Sequence, residues 1–309
     1  IGRRPMLMDF ITQNSIDPKV IISKFNNYYL FLKKYNYIGK IFRKDAVKNL
    51  TFLSKELLPG LKKSDYEVLE NMIKGNDYSL KSEDDMKTSL NILSLNYFGK
   101  NEKERYGSPI VDPNTKRLSK TFSEYLKDKD YRSFVFDILN LAKYYNEKIQ
   151  NSGNDLILYN QYTRLDFLKL VNWRNDKKNM ANNIYGYRVL DEYIPLFITY
   201  HKSEDIDDSI KYEDHFLNQE ELAWVSRKNV SLKNKEINQI INHKEDGKTI
   251  YIFVKKNDSE GSQHYYLGEA EYMKGSANET TNVTEDKIVT MNFIMKTPIR
   301  DDIYRYLVN

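Results

Sequence analysis

Apolar residues recur at helical spacing through the first half of the chain. After Asp17-Pro18, with proline near the first helical position, Ile21, Ile22, Phe25, Tyr28, Tyr29 and Leu32 share one face and predict a helix. A second is predicted from Asp45 through Val47, Leu50, Leu53 and Leu57, stopping at Leu58-Pro59-Gly60. Ser64-Asp-Tyr-Glu67 and Ser82-Glu-Asp-Asp85 have capping-box spacing, with Asp replacing Glu in the second, and the helices they open should end near Gly75 and Gly99. Turn residues at 106–109 and 112–114 precede a further helix that carries Tyr131, Phe134, Val135, Ile138, Leu141, Ala142 and Tyr145. Asn151-Ser-Gly-Asn154 is the best domain boundary.

Beyond a short helix from Thr163 to about Asn172 the period changes. Tyr185–Val189, Leu196–His201, Thr249–Lys255, His264–Met273 and Ile288–Met295 are β-rich runs bounded by Gly, Asn or Asp. A helix near Asn234–Asn242 interrupts them and another, Asp301–Leu307, closes the chain. The expected fold class is α+β: a helical domain over 1–152, then a small mixed β-barrel domain over 153–309. Trp173, Phe197, Phe253 and Phe293 are expected in the core.

Composition narrows the function. Cysteine is absent, which excludes disulfides, thiolate metal sites and Cys nucleophiles and suits a reducing bacterial cytoplasm. No apolar run approaches the length of a membrane span, so no membrane partner is expected. The chain opens Ile1-Gly2-Arg3-Arg4-Pro5, without an initiator Met or a signal-peptide pattern, and is expected to be part of a longer polypeptide. The net charge of +4 is uneven: residues 1–155 hold 27 Lys+Arg against 20 Asp+Glu, and residues 156–309 hold 21 against 24. A basic first half suits a nucleic-acid backbone or an acidic partner domain, and equally a solvated Lys-rich surface.

Catalytic signals do not hold up. Gly247-Lys248-Thr249 ends like a phosphate-binding loop, but the position that needs the first glycine is Asn242, and a strand rather than a helix follows. His201, His215, His243 and His264 form no His-x-Lys pair and no His-Glu-x-x-His helix. Glu285-Asp286-Lys287 and Asp246-Gly247-Lys248 have the acidic-x-Lys form of a nuclease motif, which chance supplies at this density of charge. Glu204, Asp205, Asp207 and Asp208 read as an acidic solvated loop in preference to a metal site. Neither a catalytic residue nor a metal or cofactor is expected in this chain.

Six ordered motifs carry a family resemblance: Tyr185-Gly-Tyr-Arg188, Phe197-Ile-Thr-Tyr-His-Lys202, Lys211-Tyr-Glu-Asp-His-Phe216, Leu222-Ala-Trp224, Phe253-Val-Lys-Lys256 and Tyr265-Tyr-Leu-Gly268. Together they resemble a bacterial domain of unknown function that follows DEAD/DEAH helicase motors, often behind a phospholipase-D-type nuclease. Arg4-Pro-Met-Leu-Met-Asp-Phe10 and Phe52-Leu-Ser-Lys-Glu-Leu-Leu-Pro-Gly60 look like its helical lead-in, so the resemblance spans nearly the whole chain. It implies a helical, coiled-coil-like part and a β domain similar to SRA/PUA-type folds. It also implies the target-recognition part of an ATP-dependent type IV restriction endonuclease, used in phage defence. The partners implied are double-stranded DNA with modified cytosine and the helicase and nuclease domains of the same polypeptide. ATP and Mg²⁺ would serve those other domains.

Reading C5 of cytosine by base flipping needs a slot with two π-faces, polar groups for the base edge, and space for the methyl. Strand ends in the second half supply Tyr187, Tyr200, Tyr212 and Trp224 as candidate faces. Asp214, on the face of Tyr212 if that segment is extended, is the candidate acceptor for the cytosine N4 amino group, and His201 and Ser226 could complete the edge contacts. Lys202, Lys211, Arg227, Lys228, Lys255 and Lys256 are the candidate phosphate contacts. A tyrosine in a β-barrel is more often core or surface packing than a stacking face, Trp224 could be plain core, and each cation is as often merely solvated. Two rival readings remain open: a protein-interaction module that couples a helicase motor to a partner, and an enzyme, such as a glycosylase, acting on a flipped base.

Overall fold

The computed structural model describes residues 4–80, 82–150, 156–173, 184, 186–201, 214–282 and 285–309. The chain divides into two compact units, residues 1–155 with 169–180, and residues 156–168 with 181–309. Among the described residues no helix is long and apolar enough to cross a membrane.

The first unit is helical: α1 (Leu7–Asn14), α2 (Lys19–Phe25), α3 (Tyr28–Lys34), α4 (Lys44–Glu56), α5 (Lys63–Lys74), α6 (Glu83–Leu93), α7 (Lys100–Tyr106), α8 (Lys120–Leu126) and α9 (Lys129–Gln150). The single helix expected after Pro18 is two. Asn26 takes φ +66° and Asn27 caps the next helix by accepting from Leu30 N at 2.9 Å, because short polar side chains compete with the helical ladder. Ser82 caps α6 as its spacing predicts. Ser64 does not cap α5: Lys62 stands at that position and Ser64 is buried inside the helix. Gly75 terminates α5, whereas Gly99 opens α7 instead of closing α6.

Aromatic rings fill this unit in edge-to-face pairs, as ring quadrupoles favour. Tyr29 meets Phe134 at 5.8 Å and Phe42 meets Tyr131 at 5.4 Å. Phenol groups end on backbone carbonyls, Tyr28 on Pro5 at 2.8 Å and Tyr131 on Ala46 at 3.2 Å. Asp137 accepts from Leu7 N and from Arg4, both at 2.9 Å, which fastens the start of the chain to α9. Burial pushes its carboxyl upward despite Arg4.

The second unit contains β1 (Gln161–Tyr162), most of α10 (Arg164–Leu170), β2 (Tyr193–His201), β3 (His215–Phe216), β4 (Glu221–Val225), α11 (Lys235–Ile241), β5 (Thr249–Asn257), β6 (His264–Tyr272), β7 (Asn278–Thr281), β8 (Lys287–Met295) and α12 (Asp301–Val308). The sheet runs β2-β5-β6-β8-β4-β3, with β1 added on β6 and β7 on β8. Among the described residues only β2 and β5 pair in parallel. Among the described residues the path is open, so the expected closed barrel is corrected to a mixed sheet. The run at 185–189 supplies only an isolated bridge from Tyr187 to Leu196, while β3, β4 and β7 formed without a sequence signal strong enough to mark them.

Both faces of this sheet are covered, which explains why β2 and β5 read as nearly continuous apolar runs. Ile194, Leu196, Ile250, Ile252, Met291 and Phe293 pack with Ile237 and Ile240 of α11 and Leu307 of α12. On the other face Phe167 of α10 meets Tyr251 at 5.6 Å and Phe253 at 5.4 Å, and Phe197 stacks on Phe253 at 4.5 Å. Trp173, expected in the core, is half-buried. His264 lies edge-on to Phe197 at 5.1 Å and is 2% exposed. Burial, with Arg164 and Lys255 nearby, lowers its pKa to about 4.

Two outcomes test this packing. Gly60 (φ +67°) accepts from Asn146 Nδ2 at 2.8 Å, and a Cβ there would lie 2.3 Å from Ala142 O. Gly60→Ala should therefore cost the helical unit more than about 2 kcal/mol in urea unfolding, and a change under about 0.5 kcal/mol would contradict the packing. His264 stays neutral in the folded state while its unfolded counterpart takes a proton below about pH 6.5, so stability should fall as pH drops from 6.5 toward 4. Between pH 7 and 4.5 the wild type should lose about 2–3 kcal/mol more than His264→Gln, measured by urea titration at each pH. Parallel pH curves would refute a buried neutral imidazole.

Candidate functional site

The end of β4 draws together residues far apart in sequence. Tyr187 is set beside β2 by its bridge to Leu196, with Phe197 N donating to Gly186 O at 2.6 Å. Its ring meets Trp224 of β4 edge-to-face at 5.0 Å, and Trp224 meets Phe293 at 5.7 Å. Asp214 Oδ1 accepts from Val225 N at 2.9 Å, next along the strand. Ser226 continues the ladder past β4: its N–H donates to Val289 O at 2.8 Å, and its Oγ accepts from Val289 N at 2.9 Å while donating to Arg227 O. Arg227 then turns back so that its guanidinium lies over the Tyr187 ring, 4.2 Å from the centroid, paired with Glu236 of α11. Arg188 reaches the same carboxylate at 4.0 Å.

Tyr187, Asp214, Trp224, Ser226 and Arg227, all expected site residues, thus form one cluster. It is closed. Tyr187 is 1% exposed and Trp224 3%, so neither presents a free face, and Asp214 is 7% exposed with one oxygen engaged by the backbone. The Tyr187 hydroxyl is buried and, among the described residues, has no partner in hydrogen-bond geometry. Burial raises its pKa, countered in part by Arg227. Glu236 was not legible beforehand, because an Arg–Glu pair nine residues apart across a turn has no spacing signature.

The other expected residues are placed differently. Tyr200 stacks on Phe216 at 5.6 Å and its hydroxyl accepts from Phe216 N at 3.3 Å. His201 Nε2 lies 3.0 Å from Leu307 O, at the end of α12. Both tie strand ends together, four or five residues along β2 from the Tyr187 bridge, roughly 13 Å or more at strand rise. Lys255, expected on an exposed rim, is 8% exposed and turns inward to Gly261 O and Asp258, both at 2.9 Å, bracing the turn after β5. Lys228 pairs with Asp286 at 2.9 Å, and Lys256 stands over the Tyr306 ring at 5.2 Å. Tyr212, Lys202, Lys211, the acidic run at 203–212 and the boundary at 151–154 lie outside the described residues.

No curated protein matches this sequence. Among solved structures, the chain is similar to the SRA domain of SUVH5 in complex with hemi-methylated CG DNA (TM-score 0.32, 10% identity, 47% of this chain and 92% of that one). It is also similar to the DNA modification-dependent restriction endonuclease AspBHI (TM-score 0.30, 10% identity, 46% and 75%) and to Arabidopsis thaliana SUVH6 in complex with SAM (TM-score 0.32, 13% identity, 78% and 41%). Residues 1–151 match the family model of the domain of unknown function DUF8090, and residues 156–307 match that of the domain of unknown function DUF3427.

Proposed function

We propose that this chain is the target-recognition part of a modification-dependent restriction enzyme, and that its β unit binds duplex DNA containing 5-methylcytosine or 5-hydroxymethylcytosine with the base flipped out of the stack. The observation that carries the reading is the Tyr187 hydroxyl, which among the described residues is buried without a partner in hydrogen-bond geometry, beside Trp224 and under the Arg227 guanidinium that acts on it. Such a group costs about 1–3 kcal/mol, and a cost of that kind is retained where a ligand completes the bond. Cytosine suits these neighbours, since its N4 amino group donates to a carboxylate such as Asp214 and its ring stacks on Tyr187. The six-motif resemblance supports the same class, and one protein of this kind that it resembles is SauUSI, a staphylococcal type IV restriction enzyme. The SUVH5 SRA domain, in its own complex, holds hemi-methylated DNA.

The closed cluster implies an order of events. Arg227 occupies the Tyr187 face that a base would use. Moving the guanidinium onto a DNA phosphate forfeits a cation–π contact of about 0.5–2 kcal/mol and the Glu236 pair, and gains a charge-assisted contact outside. Base stacking then returns about 1–3 kcal/mol against the cost of unstacking. Phosphate capture and opening of the slot are one movement. The chain itself has no catalytic part in this reading. Nuclease and motor steps, with ATP and Mg²⁺, belong to other domains of a cytoplasmic bacterial polypeptide.

Fluorescence polarisation with matched duplexes carrying cytosine, 5-methylcytosine or 5-hydroxymethylcytosine tests the reading. A modified duplex should bind at least tenfold tighter than its unmodified control, and equal binding to all three would overturn the proposal. Tyr187→Phe separates site from scaffold: it removes the unpartnered hydroxyl, so stability should hold or rise by up to about 1–3 kcal/mol while preference for modified DNA falls. Lower stability with preference intact would make Tyr187 a packing residue only.

A further inference from the structure

Several cations of the β unit are spent on partners within it: Lys244 on Glu271, Lys296 on Glu269, Arg300 on Asp302, Lys228 on Asp286. A phosphate backbone needs cations held without carboxylate partners, and the helical unit has them in one place. Lys48 and Lys55 lie seven residues apart on α4, about 10 Å along one face. Lys100, Lys103 and Arg105 belong to α7, which packs against α4. Among the described residues none of the five lies within ion-pair distance of a carboxylate, although Lys48 Nζ donates to the backbone carbonyl of Glu104 at 2.5 Å. Burial and then Arg105 depress the pKa of Lys55, so the cations crowd one another.

Between the two helices lies a groove of about 580 Å³, floored by Phe98 and lined by Lys48, Lys100, Lys103 and a single acid, Glu104. Its walls are fixed. Asn49 Nδ2 donates to Tyr106 O at 3.0 Å and to Ser108 O at 2.7 Å, and Ser108 N donates to Asp45 at 3.1 Å. Gly107 is required where the chain passes Asp45, since a Cβ would come within 2.3 Å of its carboxylate. Like charges gathered on rigid backbone and not ion-paired with the neighbouring acids repel one another, and a polyanion relieves that repulsion.

We propose that the α4–α7 groove is a binding site for the phosphodiester backbone of duplex DNA, contributed by the helical unit and independent of base modification. The inference rests on the reading of the chain as a DNA-binding protein. In the same reading the β unit supplies the discrimination and this groove supplies salt-dependent affinity.

The test measures affinity of the full chain for modified and unmodified duplex between 50 and 200 mM KCl. Lys48→Ala/Lys100→Ala/Lys103→Ala should flatten the log–log salt slope by about two to three units for both duplexes and leave their affinity ratio unchanged. Lys100→Gln/Lys103→Gln, which disturbs no backbone hydrogen bond, should flatten it by about two if the triple variant fails to fold. A control with equal charge loss elsewhere in the unit, Lys33→Ala/Lys34→Ala/Lys120→Ala, should change the slope by less than one unit. Equal flattening by the control would reduce the effect to net charge, and an unchanged slope in the groove variants would assign the groove to an acidic protein segment. Either result overturns the proposal. If instead the wild type shows no preference for modified DNA while the groove variants still flatten the slope, the groove stands and the base-reading function falls.

Discussion

A phenol buried in a protein leaves its water behind, and the hydrogen bond lost must be remade inside or the fold carries the deficit. With 25 tyrosines in 309 residues, this chain meets that condition repeatedly. Tyr28 and Tyr131 finish on carbonyls, Tyr66 on Asn146, Tyr162 on the Ile157 N–H and Tyr200 on the Phe216 N–H. These bonds set the N-terminal segment against α3, α9 against α4 and α5, and β3 against β2. Among the described residues Tyr187 is the one tyrosine whose buried hydroxyl meets no partner in hydrogen-bond geometry, as the Ser54 and Ser64 hydroxyls also do not, and the Arg227 guanidinium is the polar group that acts on it. Its ring is fully used, edge-on to Trp224 and covered by Arg227, so the deficit is confined to one oxygen in an otherwise satisfied setting.

Charge is organised by the same economy of partners. In the β unit several cations are matched with carboxylates across short turns and neighbouring strands, and Lys255 is drawn inside. In the helical unit the cations along α4 and α7 form no ion pair among the described residues, and the backbone between them is held by hydrogen bonds. A chain built this way separates fine discrimination, which needs a dry and specific setting, from long-range attraction, which needs exposed charge.

Much of the fold was legible in the sequence where burial imposes a period. The α9 face, the β2 and β5 runs and the closing helix follow directly from apolar spacing. Local chemistry was less reliable: Asn26 and Asn27 broke a helix whose apolar face continues unbroken, and Ser64 went into a helix it was expected to cap. The short strands β4 and β7 pair with β8, and β3 is added on β4, tertiary contacts with no local trace. At the site, residue types were readable and their orientation was not. Tyr187, Asp214, Trp224, Ser226 and Arg227 converge, yet Lys255 and Trp224 point inward and Arg227 is held by Glu236, because packing decides which side of a strand end faces solvent.

The central claim is that a modified base is bound at the Tyr187–Trp224 cluster, and tryptophan emission reports on it directly. The chain has two tryptophans, so Trp173→Phe leaves Trp224 as the sole indole. At saturating DNA, emission from this variant should be quenched and shifted by a duplex with 5-methylcytosine and unchanged by an unmodified duplex. Identical spectra with both duplexes, at concentrations where polarisation shows both bound, would place the base elsewhere and contradict the account.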